Sequence, residues 1–222
     1  MELTTTQRTS DWYLARMGKF TASKIECLMK PTDVKKGTFD TDTCKSYIYL
    51  TAGERQVAEK LKDADEETIT NYMRVQHPSS KAMDWGTEHE PQARRFFEFA
   101  MGVDVEECGS MAKDERPWLS ASPDGIIDKD TLIEIKCPNV ETYMRYVAEI
   151  SNADTLRASK PEYYWQIQCQ MYVTDAKKCW FVVYHPLIGE HHVLIERVQT
   201  DIDTMLERAD RAWEIVNSLN II

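Results

Sequence analysis

Apolar positions recur at helical spacing along most of this chain, and only a few short stretches are continuously apolar and β-branched. Thr9 or Ser10 is placed to cap a short helix over residues 11–17, which Gly18 would end. Thr21 would cap a second helix running to Lys30, stopped by Pro31. Residues 33–43 are polar and contain Lys35-Lys36-Gly37, which predicts a loop. The spacing of Tyr47, Leu50 and Val57 predicts a helix over 42–61. Residues 62–80 are mixed and polar and show no periodic element. A strong helix is predicted over 87–101, ended by Gly102, and a strand over 103–107. Further helices are predicted over 141–150, 161–174 and the last twenty residues, and strands over 179–184 and 192–198. Helices first, then strands interleaved with helices, predict an α/β (α+β) fold: a central mixed β-sheet flanked by helices.

The segment 110–137 holds the most informative chemistry. Leu132, Ile133 and Ile135 are apolar and strongly β-forming, and Cys137-Pro138 ends that strand abruptly. Side chains alternate along a strand, so Glu134 and Lys136 share a face while Ile133 and Ile135 point into a core. Ser122-Pro123-Asp124-Gly125 is a turn that can bring Asp124 back to face that strand. Two carboxylates can hold a hard divalent cation, and a neighbouring lysine can orient or deprotonate a water. A common turn beside a solvated Glu-x-Lys pair is the plainer reading of the segment by itself.

Two helices carry polar residues where a core is expected. Ala93, Phe96, Phe97, Ala100 and Met101 form an apolar stripe, and Glu90 falls at its edge one turn before Arg94. A glutamate there must be paired, metal-bound or close to water, unless it only complements the helix dipole. On the helix from Pro161, Tyr164, Ile167 and Met171 make the buried stripe with Gln168 between them, while Gln166 and Gln170 fall on a face expected to be solvated. Gln168 could hold a water or a phosphate oxygen, or simply bond a neighbouring backbone group. Near the start, Arg16 precedes Gly18-Lys19-Phe20, and Thr21 and Ser23 open the next helix, a grouping suited to an anion as well as to ordinary capping. The histidines at 77, 89, 185, 191 and 192 are scattered and read as surface or core residues.

Composition narrows the setting. The 222 residues are enough for one well-buried domain over 1–222, with no linker dividing them. No apolar run reaches the roughly 18 residues of a membrane span, and the polar start Met1-Glu2-Leu3-Thr4 lacks signal-peptide character. Six cysteines without a C-x-x-C pair point to a reducing cytoplasm. The net charge of −10 disfavours a generic DNA coater. Residues 1–50, however, hold eight Lys/Arg against six Asp/Glu, a net of +2 against −12 over the remainder.

Taken in order, these pieces resemble the phage lambda exonuclease family, the YqaJ-like viral recombinases of the PD-(D/E)XK nuclease superfamily. The likeness runs through Trp12, Arg16-Met17-Gly18 and Thr21-Ala22-Ser23, then Trp85-Gly86, Glu90, Ala93-Arg94, Phe97-Glu98-Phe99 and Gly102-Val103. It continues through Ser122-Pro123-Asp124-Gly125, Glu134-Ile135-Lys136-Cys137-Pro138, and Gln166-Ile167-Gln168 with Met171 and Val173-Thr174.

The resemblance implies a restriction-endonuclease-like core and a Mg²⁺-dependent 5′-to-3′ exonuclease, with two ions per site and Mn²⁺ as a substitute. Its substrate would be the ends of linear double-stranded DNA, one strand being degraded to 5′-mononucleotides to leave 3′ tails. It implies that Asp124, Glu134 and the backbone carbonyl of Ile135 bind metal, that Glu90 assists a second ion, and that Lys136 activates or positions the water, with Gln168 in support. Arg16, Thr21 and Ser23 match the 5′-phosphate pocket, and Met83 the apolar wedge that parts the end base pair. A ring-shaped homotrimer and a single-strand annealing protein as partner in phage recombination are also implied, in a bacterial host cytoplasm. Thr32 stands where the lambda pattern has an arginine after the proline, which sets apart how the 31–43 segment grips a duplex. The competing expectations are a structure-specific or restriction-like endonuclease with the same metal core, and a non-catalytic DNA-end-binding protein.

Overall fold

A computed structural model describes residues 6–76 and 78–219. The polar start at 1–4, His77 and positions 220–222 of the helix expected over the last twenty residues therefore lie outside the described residues. Helix α1 (Ser10–Arg16) is capped by the Thr9 side chain, which accepts from the Trp12 N–H. Strand β1 (Phe20–Thr21) leads into a 3₁₀ helix (Ala22–Leu28). This differs from the expected capped α-helix to Lys30: Thr21 makes no side-chain cap, and the tighter turn ends two residues earlier.

Residues 33–43 are not simply a loop. Pro31 opens helix α2 (Pro31–Lys36), because proline at a first helical position sacrifices an N–H that would be unpaired anyway. Helix α3 (Asp42–Leu61) follows, capped by Thr41, with the predicted bounds. Helix α4 (Glu66–Gln76) occupies the stretch that showed no pattern, and α5 (Lys81–Met101) begins six residues before the predicted start, capped by Ser80. The predicted strand at 103–107 is absent. Only an isolated antiparallel bridge between Glu106 and Ile126 forms there.

Strands β2 (Met111–Lys113), β3 (Arg116–Ala121), β4 (Gly125–Asp128) and β5 (Thr131–Lys136) come next. Helices α6 (Val140–Glu149), α7 (Ala153–Ser159) and α8 (Pro161–Thr174) cross over to β6 (Lys178–His185), which turns into β7 (Gly189–Glu196) and α9 (Gln199–Ser218). The main sheet runs β4-β5-β6-β7, with β5 and β6 parallel at its centre and antiparallel strands outside. A second sheet, β1-β3-β2, pairs β1 parallel to β3. The expected mixed sheet flanked by helices is therefore present. Among the described residues no helix is long and apolar enough to cross a membrane.

The core explains the strand pattern. Ile133 and Ile135 pack in a cluster with Ala93 and Phe97 of α5 and with Val182 and Tyr184 of β6. Leu132 belongs instead to the larger cluster that includes Tyr164, Ile167 and Met171 of α8. Alternation along β5 thus turns one face to α5 and the other to α8. Glu134 and Lys136 stand on the α8 side.

Candidate active site

Glu134 is 1% exposed, and its carboxylate must be satisfied inside the protein. Gln166 donates to its Oε1 and Gln170 to its Oε2, each at 2.7 Å, and the Lys136 ammonium also donates to Oε1. The expectation that Gln166 and Gln170 are solvated is overturned. Helix α8 is buried continuously from Tyr164 to Val173, so both of its faces meet protein. Gln166 and Gln170 are four residues apart, which stacks them on one helical face opposite Glu134.

Gln168 lies elsewhere. Its Nε2 donates to the Glu196 carbonyl and its Oε1 accepts from the Val198 N–H, both at 2.9 Å. It is not among the residues lining the cleft described below. Of the two readings open at the sequence level, backbone bonding is the one observed.

Asp124 sits between β3 and β4, which brings it beside the carboxyl end of β5. Its Oδ2 accepts the Ile135 N–H at 2.7 Å, and Oδ1 accepts no hydrogen bond among the described residues. Gly125 is required next to it, because a Cβ there would lie 2.2 Å from Cγ1 of Val105. Burial, with the charges of Glu134 and Glu90 close by, pushes the Asp124 carboxyl well above its ordinary value, against the Lys136 charge and the Ile135 N–H. Burial works to lower the Lys136 ammonium, yet Glu134 and Asp124 outweigh it and raise the group above its ordinary value. Lys136 is therefore a cation at neutral pH, suited to orienting a water or an anion.

Glu90, on α5, is flanked by two arginines. Arg94 donates to its Oε1 at 3.1 Å and to the Asp124 carbonyl at 3.2 Å, tying α5 to the turn. Arg8 donates to Oε2 at 2.6 Å. A cleft of about 470 Å³ gathers Arg8, Glu90, Asp124, Ile135, Lys136 and Tyr163 on its walls. Among the described residues no group of three or more His, Cys, Asp or Glu is arranged to hold a metal ion. The oxygens of Glu134 and Glu90 are engaged by amides, Lys136 and arginines, and only Asp124 presents an uncommitted oxygen.

A second cavity of about 220 Å³ adjoins. It is lined by Trp12, Arg16, Lys19, Thr21, Ser23 and Met83, among others. The Arg16 guanidinium carbon lies over the Trp12 ring, 3.8 Å from its centroid, and Arg16 donates to Ser23 Oγ at 3.3 Å. The Thr21 and Ser23 hydroxyls are also 3.3 Å apart. Burial lowers the Arg16 guanidinium to about 10, against the weaker opposing pull of Tyr47, Tyr13 and Glu54. Met83, 59% exposed in the first turn of α5, lines both cavities. The Trp12 indole donates to Ser122 Oγ at 3.1 Å, joining this pocket to the turn bearing Asp124.

The structure thus brings Asp124, Glu134, Ile135, Lys136 and Glu90 to one place and Arg16, Thr21 and Ser23 to its neighbour, and leaves Gln168 out. Sequence reasoning missed Arg8, Gln166, Gln170 and Lys19. The four-residue spacing of Gln166 and Gln170 was the available signal for that pair.

Comparison with known proteins gives the chain a family and a fold. The model of the YqaJ-like viral recombinase domain matches residues 11–177, which span both cavities apart from Arg8. The chain belongs to that family. The YqaJ-like domains are a family of nucleases. This YqaJ-like chain is similar to the alkaline exonuclease LHK-Exo from Laribacter hongkongensis, at 26% identity over 95% of this chain and 93% of that one, with a TM-score of 0.75. The structure of LHK-Exo in complex with dAMP matches at 27% identity, with the same coverage and a TM-score of 0.76. A phage related exonuclease from Haemophilus somnus 129PT shares the fold, at 18% identity over 90% of this chain and 94% of that one, with a TM-score of 0.65. Uncharacterized protein R354 of Acanthamoeba polyphaga mimivirus is 31% identical over 116 residues, 46% of this chain. The YqaJ-like chain spans only 20% of the length of that curated relative.

Proposed function

We propose that this chain is a Mg²⁺-dependent 5′-to-3′ exonuclease. It degrades one strand of linear double-stranded DNA to 5′-mononucleotides and leaves 3′ tails for recombination by strand annealing. The observation that carries this reading is the adjacency of the two cavities: a carboxylate-and-lysine cleft beside a cationic, hydroxyl-lined pocket, with Met83 on the wall of both. The alkaline-exonuclease fold and the dAMP complex of LHK-Exo support it.

The residues present fit a hard divalent cation. Asp124 holds an uncommitted oxygen, and its carboxyl is forced upward by burial and two neighbouring carboxylates, a repulsion that a cation relieves. Asp124 and the Ile135 carbonyl would hold the ion together with Glu134, and Glu90 would serve a second one. Bound there, Mg²⁺ supplies Lewis-acid polarisation of a phosphate and lowers the pKa of its water. Mn²⁺ meets the same oxygen-donor requirement.

The chain's own groups do the rest. Gln166 and Gln170 fix both oxygens of Glu134, and Glu134 in turn fixes the Lys136 ammonium beside Asp124. Lys136 orients the attacking water or the scissile phosphate as a charge, since its neighbours keep it protonated. Arg16, Thr21 and Ser23 bind the terminal 5′-phosphate, and Met83 parts the end base pair. Holding the terminal phosphate at a fixed distance from Asp124 sets the product to one nucleotide. By family resemblance the working form is one nuclease domain in a homotrimeric ring, acting beside a single-strand annealing protein in the cytoplasm of a bacterial host.

Incubation of 5′-phosphate linear, 5′-hydroxyl linear and closed circular duplex, each with and without Mg²⁺, tests the reading. The expected result is mononucleotide release only with Mg²⁺, fastest from the 5′-phosphate end and absent from circles. Circles cut as fast as linear duplex would point to an endonuclease with the same core, and binding without hydrolysis to a DNA-end-binding protein.

A further inference from the structure

Arg8 stands on the wall of the cleft, and neither the family resemblance nor the mechanism above gives it a task. It precedes the residues matched by the family model. Its backbone is left-handed, with φ 68°, a conformation that a non-glycine residue keeps only when its surroundings impose it. Here they do. The Gln7 amide donates to the carbonyls of Cys108 and Pro123, both at 2.9 Å, so the segment is pinned to the turn that carries Asp124. With Gln7 fixed and Arg8 bent, the arginine reaches the cleft and meets Glu90.

The two arginines on Glu90 are unlike. Arg94 has a side chain 9% exposed and is bonded to Glu90, to the Asp124 carbonyl and to Glu107, as a structural brace would be. Arg8 has a side chain 42% exposed, and its bond to Glu90 is the only one it makes among the described residues. Arg94 is shared between Glu90 and Glu107, so Glu90 meets two cations of which Arg8 is the one facing the cleft. Among the described residues the rest of the planar fork of donors on Arg8 is unengaged, and such a fork can take phosphate oxygens two at a time.

We propose that Arg8 is a phosphate-binding residue of the catalytic cleft, resting on Glu90 in the free protein and transferring to the backbone phosphate beside the cleaved bond when DNA enters. The proposal rests on the nuclease reading and adds a residue to it. Burial weakens the Arg8 charge, but Glu90 and Asp124 more than restore it, so the group is a full cation when the strand arrives.

The test is equilibrium binding of a fluorescently labelled 5′-phosphate duplex to the full chain, across a series of KCl concentrations. Ca²⁺ replaces Mg²⁺, and every protein carries Lys136→Ala to keep the strand intact. Arg8→Ala is expected to weaken binding about tenfold, and to lower the slope of log Kd against log salt by about 0.9, the loss of one phosphate contact. Arg8→Lys is expected to keep the slope. An Arg8→Ala protein with unchanged affinity and slope, even with a lowered melting temperature, would show that Arg8 only braces Glu90 and would overturn the proposal. Arg8→Gln carries the same two outcomes should the alanine variant unfold. A protein with Arg8 intact that binds no duplex at all would bring down the nuclease reading with the proposal. Intact binding matched by Arg8→Ala would bring down the proposal alone.

Discussion

Asp33 and Asp124 are two carboxylates drawn out of bulk water by the same fold, and they end in opposite electrostatic states. Asp33 is 1% exposed, in the segment between the 3₁₀ helix and α3. Its oxygens accept from the Thr38 hydroxyl at 3.3 Å, the Asp40 N–H at 3.0 Å, and the N–H and hydroxyl of Thr41 at 3.1 and 2.6 Å. Burial would raise its carboxyl, but these donors outweigh burial and hold it below the ordinary value. Asp124 receives one N–H, stands near Glu134 and Glu90, and is pushed well above the ordinary value. Asp33 is completed by donors of its own segment, and Asp124 is left among like charges. The first acid builds structure, and the second is the one that the proposed cation would complete.

The largest test of that contrast is to neutralise Asp124. Asp124→Asn keeps the shape and the acceptor for the Ile135 N–H while removing the repelled charge. DNA cleavage should fall by about a thousandfold or more, while the metal-free protein melts at a higher temperature than the parent. Lys136→Ala should cost about a hundred- to a thousandfold in single-turnover cleavage, the usual scale for removing one oriented electrostatic group. Either variant with parental activity would break the contrast.

Next in size is the same neutralisation at Asp33, with the opposite sign for stability. Asp33→Asn presents an amide where only donors converge, and is expected to cost about 2–3 kcal/mol at neutral pH, seen by denaturant unfolding. The pH dependence follows from the lowered carboxyl. Its stabilisation is complete above the unfolded-state value of about 3.9 and is lost as the pH falls through the lower folded-state value. The gap between parent and variant should therefore be full at pH 7 and shrink below about pH 4. A gap that does not change with pH would mean that the charge of Asp33 contributes nothing.

Smaller effects separate the glutamines of α8. Gln168→Leu orphans the Glu196 carbonyl and the Val198 N–H and should cost about 2 kcal/mol of stability, with cleavage per folded molecule unchanged. Gln170→Leu removes one of the donors that orient Glu134. It should lower kcat about tenfold, equivalent to roughly 1.4 kcal/mol, with the KM for DNA unaltered. The reverse pattern would return Gln168 to the site.

How much of this was legible in the sequence differs between the two regions. The strand β5, the shared face of Glu134 and Lys136, the turn at Asp124 and the bounds of α3 and α8 all follow from local patterns of spacing and propensity. The glutamines were misread because α8 is buried from Tyr164 to Val173, and a helix apolar or covered on every side gives no periodicity from which to rank its faces. The segment around Asp33 was read as a loop because α2 is six residues long and stands on tertiary bonds: Arg208, from α9, donates to the carbonyls of Leu28, Asp33 and Thr38. Such partners lie about 170–180 residues away in the chain and leave no local trace. The strand expected at 103–107 failed for a related reason. The residues extend alongside β4, but a single bridge at Glu106 is all that pairs.

The most direct test of the central claim is metal binding at Asp124, read without any activity. Calorimetric titration of Mg²⁺ into the parent protein, Asp124→Asn and Asp33→Asn, with the melting temperature followed alongside, compares the two acids under one condition. The expected outcome is binding with a rise in melting temperature for the parent and for Asp33→Asn, and neither for Asp124→Asn. Equal binding by the parent and Asp124→Asn would contradict the account.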